Sequence, residues 1–111
     1  MLTKHSDVVG VDLGGTTIKC GRYDQDGNLL EDAEFETPQP SIPGAVTVAI
    51  CEAIEAIDPK HQAEFVGVCL PGPMDSKGRV ARVCINLPGW IEVPLAGWLE
   101  PRLDRQVTLG N

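Results

Sequence analysis

Val8-Val9-Gly10-Val11-Asp12-Leu13-Gly14-Gly15-Thr16-Thr17-Ile18-Lys19-Cys20-Gly21-Arg22-Tyr23 reads as two short strands joined by a tight polar turn. Val8, Val9, Val11 and Leu13 make a run of the buried-strand type, and Ile18, Cys20 and Tyr23 mark the inward side of the second strand. Asp12-Leu13-Gly14-Gly15-Thr16-Thr17 lies between them. Adjacent glycines let backbone N–H groups approach a ligand with no Cβ in the way. Successive N–H groups in such a turn form a concavity for an anion. Thr16 and Thr17 add hydroxyl donors, Lys19 adds a charge, and Asp12 stands where a carboxylate can hold a metal ion or water beside phosphates. This content suits the phosphates of a nucleotide. The competing reading is an ordinary hairpin with a solvated Asp, since glycine pairs are common in hairpin turns.

The turn is not a P-loop. That motif, G-x-x-x-x-G-K-[ST], opens a helix, and here a strand follows. G-x-G-x-x-G is absent as well.

The chain of 111 residues is one domain's worth, and its 42% hydrophobic content is ordinary for a folded domain. Nine basic and 16 acidic residues give a net charge of -7, which argues against a nucleic-acid surface. Met1 to Asp7 lacks the basic start and apolar stretch of a signal peptide, and no apolar run reaches membrane-spanning length. A cytoplasmic location, with no membrane and no nucleic-acid partner, is the expectation. Cys20, Cys51, Cys69 and Cys84 are isolated singles with no C-x-x-C, so zinc is not expected in this chain. Three of them sit in apolar surroundings, as reduced core thiols do.

Downstream of the hairpin, Asp24-Gln25-Asp26-Gly27-Asn28 predicts a turn, and Leu29–Glu36 a third strand, near a sheet edge because it is acid-rich. Thr37 to Gly44 is a proline-rich connection without assigned chemistry. Val46, Ile50, Ala53, Ile54 and Ile57 recur at helical spacing and predict a packing helix from about Ala45 to Ile57, ended by Asp58-Pro59. Phe65 to Leu70 reads as a central strand buried on both faces. The loop Pro71 to Gly78 then lies at the carboxyl end of a core strand, where open α/β sheets place ligands. Arg79–Val83 reads as a short strand. Asn86 follows in a loop, where its amide suits sugar hydroxyls, although spacing alone favours an Asx-type turn that holds the loop. Trp90 and Trp98 are read as packing residues, Trp98 on the inward side of a helix from Pro94 to Leu103, and Gln106–Leu109 as the last strand. The element order predicts a mixed α/β sheet with flanking helices.

Four stretches, in this order, resemble the ROK (repressor, open reading frame, kinase) family of sugar kinases. They are Val11 to Lys19, Val68 to Asp75, Asn86-Leu87-Pro88-Gly89-Trp90, and Val107-Thr108-Leu109-Gly110-Asn111. The resemblance implies an actin/hexokinase-type (ribonuclease H-like) ATPase domain, the N-terminal half of a two-domain kinase. It implies ATP and magnesium at Asp12, Gly14, Gly15, Thr16, Thr17 and Lys19, with Asp12 reaching magnesium through phosphate or water. Gly72, Asn86 and Asn111 are implied on the sugar side. The family's closing pair is Asn-Asp; Asn111 matches the Asn, so the catalytic base is expected just after it and no catalytic residue lies in this chain. The sugar-binding E-x-G-H motif and any structural zinc belong to the second domain, outside these residues. Implied for the parent protein are phosphoryl transfer from ATP to a hexose, with the 6-hydroxyl of glucose first, and a homo-oligomer. This chain alone is expected to be inactive. N-acetylmannosamine, N-acetylglucosamine and fructose remain open as substrates, as do a non-catalytic sugar sensor and an assembly module. The family's repressors carry a helix-turn-helix domain ahead of the phosphate motif, and with only about a dozen residues before Gly14 a repressor is disfavoured.

Overall fold

A computed structural model describes residues 7–111; the reading of Met1 to Ser6 lies outside the described residues. The order is β1 (Asp7–Leu13), β2 (Thr17–Tyr23), β3 (Leu29–Glu36), α1 (Pro43–Ile57), β4 (Ala63–Cys69), β5 (Ala81–Val83), β6 (Ile91–Val93), α2 (Leu95–Leu103) and β7 (Gln106–Gly110). Five strands form one sheet in the order β3-β2-β1-β4-β7. The β1–β2 and β2–β3 pairs are antiparallel, and β1–β4 and β4–β7 are parallel. This is the expected mixed α/β sheet flanked by helices. A separate β5–β6 hairpin, of which β6 was not expected, stands beside it.

Both helices pack on one face. α1 lies on β2 and β3, and α2 lies on β7 and against α1. α1 begins two residues earlier than expected because Pro43, with its fixed φ and no N–H to lose, opens the first turn. Its five expected apolar residues are all buried, together with Thr47, whose hydroxyl donates to the Pro43 carbonyl at 2.7 Å. Val9, Val11, Leu13, Ile18, Cys20, Val66 and Val68 meet them from the sheet. At the end of α1, Asp58 and the fully buried Arg105 side chain pair at 3.0 Å, tying α1 to the start of β7. Arg105 also donates to the Ala63 carbonyl at 3.0 Å, and Asp58 accepts from the Ala63 N–H at 3.0 Å.

The opposite face is uncovered by any described residue, and this corrects three expectations. β4 is central in the sheet but alternates: Val66 and Val68 are buried, whereas Phe65, Gly67 and Cys69 are exposed. Val8 and Tyr23 likewise lie on the open side, as the two-residue strand period requires once Val9 and Cys20 point inward. Trp98 of α2 is 37% exposed, while Leu95 and Leu99 carry the buried stripe. Trp90 is a core residue as expected, 1% exposed.

Candidate functional site

Strand register builds the open face in three rows. The first is Leu29, Tyr23, Val8, Phe65 and Gln106. The second is Asp32, Gly21, Gly10, Gly67 and Thr108, and the third is Glu34, Lys19, Asp12, Cys69 and Gly110. One end is therefore apolar and the other polar; between them Gly10 and Gly67 leave the central strands without side chains, while the Leu29 and Tyr23 side chains close over buried Gly21. A trough of about 640 Å³ follows this face and takes in Asp12, Lys19, Cys69, Gly110 and Asn111. Asp12 and Asn111 thus open onto the same space from the carboxyl ends of β1 and β7, with β4 between them.

The turn between β1 and β2 is tightly made. The Gly14 N–H donates to the Thr17 carbonyl at 3.0 Å, and a Cβ on Gly14 would sit 2.9 Å from that same oxygen. Only glycine fits there. The Gly15 and Thr16 N–H groups bond to no described residue, so the turn presents two unpaired donors. No described residue bonds the Asp12 carboxylate, and Lys19 stands across the strand pair from it. This donor set fits a phosphate chain with a divalent cation: free amides for the anion, a cation flank, and an unpaired carboxylate at the rim.

The connection after β3, to which no chemistry was assigned, proves to be the brace of this turn. The Thr37 hydroxyl donates to the Gly14 carbonyl at 2.8 Å, the Thr37 N–H to the Thr16 carbonyl at 2.9 Å, and the Gln39 amide to the Gly15 carbonyl at 2.8 Å. Thr37 and Ser41 are each 3% exposed. The Ser41 carbonyl accepts the Trp90 indole N–H at 2.8 Å, so the same connection also holds the Asn86 loop. A polar Thr-x-Gln among prolines was the only signal for this, and it had no partner visible in sequence.

Asn86 is exposed with φ +70°, a left-handed conformation that asparagine tolerates better than most residues. Its loop approaches the glycine turn: a Cβ on Gly15 would lie 3.9 Å from Leu87 Cδ2. Gly72 is buried, and a Cβ there would fall 2.0 Å from the Val83 carbonyl oxygen, so its first duty is close backbone packing under the β5 loop. Of the expected site residues the trough joins Asp12, Lys19 and Asn111, whereas Gly14, Gly15, Thr16, Thr17, Gly72 and Asn86 do not line it. Burial, followed by the charge of Asp32, pushes the Cys20 thiol up to about 11 and keeps it protonated. Cys20, Cys51, Cys69 and Cys84 are all free thiols.

The ROK family profile matches residues 8–111, nearly the whole chain. The chain belongs to the ROK family. It is 34% identical over 104 residues to a glucokinase from Thermotoga maritima, covering 94% of this chain and 33% of that protein. It is 33% identical to an N-acetyl-D-glucosamine kinase from Salmonella typhimurium, covering 92% of this chain and 33% of that protein. The fold superposes on a ROK family glucokinase from Streptomyces griseus, solved in complex with glucose and AMPPNP, with a TM-score of 0.86 at 30% identity over 95% of this chain and 33% of that one. The chain therefore spans about a third of the length of the curated ROK relatives it matches. Among the described residues no helix is long and apolar enough to cross a membrane.

Proposed function

We propose that this chain is the first domain of a two-domain, ATP-dependent hexose kinase, with glucose phosphorylated on its 6-hydroxyl as the leading substrate. The observation that carries this reading is the shared trough, onto which Asp12 and Asn111 open from two strands; its support is the glycine turn that begins two residues after Asp12, where the Gly15 and Thr16 N–H groups bond to no described residue. Its support from likeness is the Streptomyces griseus glucokinase complex with glucose and AMPPNP.

In this reading the Gly15 and Thr16 amides and the Thr16 and Thr17 hydroxyls receive phosphate oxygens, and Lys19 adds positive charge at the rim. Magnesium, when bound, supplies neutralisation of the phosphate charge, and Asp12 would hold it through water or phosphate. Asn111 donates to and accepts from hexose hydroxyls, with Asn86 and the Gly72 loop on the sugar side. The proton of the acceptor hydroxyl goes to a carboxylate expected in the residue after Asn111.

An ADP-release assay over a panel of hexoses tests the reading on the full-length protein. Glucose should support turnover, and Asp12→Ala should lower kcat on the order of 10²-fold or more while calorimetric glucose affinity stays unchanged. Absence of ATP-dependent turnover with every hexose would overturn the reading. Preference for N-acetylglucosamine would select the second reading, which the Salmonella relative favours.

A further inference from the structure

β7 is an edge strand, and its inner side is paired with β4 through Val107, Thr108, Leu109 and Gly110. Its outer side carries backbone groups with no strand beside them, which in most proteins face solvent or are blunted by charges. Here three of them are occupied. The Val107 N–H donates to Glu100 Oε2 at 3.0 Å, and the Val107 carbonyl accepts from Arg79 Nη1 at 2.9 Å. The Leu109 N–H donates to the Gly78 carbonyl at 2.9 Å. Arg79 and Glu100 are themselves joined in a two-point ion pair, with Nη1 to Oε2 at 2.9 Å and Nη2 to Oε1 as the second contact. Gly78 can come this close only without a side chain: its φ is +66°, and a Cβ would lie 2.9 Å from Thr108 Cγ2 and 3.0 Å from the Leu109 carbonyl oxygen. The Asp75 carboxylate sets that turn by accepting from the Arg79 N–H at 2.7 Å and the Val80 N–H at 2.9 Å.

We infer that Arg79, Glu100 and Gly78 form a clamp on the outer edge of β7 that positions Asn111 in the trough. They are positioning residues and touch no substrate. The inference rests on the hexose reading of Asn111. The clamp grips the strand two and four residues before Asn111; Gly78 and Arg79 come from the loop that also contains Gly72, and Glu100 comes from α2. Movement of the sugar-side loop is thereby coupled to Asn111, whereas the phosphate turn is held separately by Thr37 and Gln39.

The test is kinetics on the full-length protein together with hydrogen exchange read at single-amide resolution. Glu100→Ala should speed exchange of the Val107 and Leu109 amides, raise hexose KM about tenfold and lower kcat by a similar factor. Its KM for ATP should stay within about twofold, since the Gly14–Thr17 turn has its own brace. Glu100→Gln, which keeps an acceptor for Val107, should recover most of the loss. A merely structural role would lower the melting temperature and leave hexose KM and kcat alone. If Glu100→Ala does not fold, Arg79→Gln carries the test, freeing the Val107 carbonyl and leaving Glu100 on the Val107 N–H. Unchanged exchange at Val107 and Leu109 would overturn the clamp whatever the substrate is. Faster exchange with unchanged hexose KM and kcat would overturn its link to Asn111. A wild-type protein that turns over no hexose overturns the functional reading instead, and the clamp is then judged on exchange alone.

Discussion

The Thr37 hydroxyl stands 2.8 Å from the carbonyl oxygen of Gly14 and donates to it across 23 residues of sequence. The bond comes from a side chain that is nearly fully buried and braces the turn between β1 and β2, in which the Gly15 and Thr16 amides bond to no described residue. Thr37→Val keeps the shape and removes the donor, leaving a carbonyl without its partner. It should cost about 1–2 kcal/mol of stability. In the full-length protein it should raise KM for ATP several-fold with hexose KM unchanged. Urea denaturation and steady-state kinetics measure the two effects, and an equal rise in both KM values would mean the turn serves the hexose as well.

Asn86 can be separated into backbone and side-chain roles because its φ is +70°. Asn86→Gly relieves the left-handed conformation, and Asn86→Ala worsens it. If the amide binds hydroxyls, both variants should lose about 1–3 kcal/mol of hexose affinity, although only Asn86→Ala is less stable. Calorimetric titration with thermal melts decides between the roles. Full affinity in Asn86→Gly would assign the residue to the turn.

Stability should fall in acid through Glu100. The Arg79 guanidinium, followed by the Val107 N–H, holds its carboxyl down at about 2, against an ordinary 4.5. A depressed carboxyl contributes stability that is fully present above its unfolded value and is lost as pH falls through its folded value. The difference in unfolding free energy between wild type and Glu100→Gln should therefore be constant above about pH 5 and shrink between about 4.5 and 2. Denaturation curves at stepped pH would show it. A difference that persists undiminished at pH 2 would contradict the ion pair.

The apolar row Leu29, Tyr23, Val8 and Phe65 is contiguous across four strands, with exposures of 51%, 39%, 40% and 47%. Contiguous apolar surface of this kind drives association when it stays uncovered. The 111-residue chain on its own should therefore self-associate with rising concentration in sedimentation velocity, and Phe65→Glu should shift it toward monomer. A wild-type chain that remains monomeric at high concentration would show that this row is tolerated in water.

Local chemistry was enough to mark most of the elements. An apolar run located β1, alternation located β2, the Asp24–Asn28 turn located the start of β3, the glycine pair located the first turn, and the spacing of Val46, Ile50, Ala53, Ile54 and Ile57 located α1, because each signal needs only neighbours a few residues away. The tight turn at Gly14-Gly15-Thr16-Thr17 beside Asp12 was legible for the same reason. Which side of the sheet is covered was not legible. An apolar residue on either face of a strand satisfies the same pattern, so Val8, Tyr23 and Phe65 found their side only when α1 and α2 both packed on the other. The braces were equally hidden. Thr37 on Gly14, Trp90 on Ser41, Glu100 on Val107 and Arg105 on Asp58 join positions 23, 49, 7 and 47 residues apart. Each is a hydrogen bond whose donor and acceptor meet only after the chain has closed, so no periodicity announces it. Asn111 enters the trough for that reason: β7 places it there through backbone pairing with β4, and the Arg79–Glu100 pair holds β7 from outside.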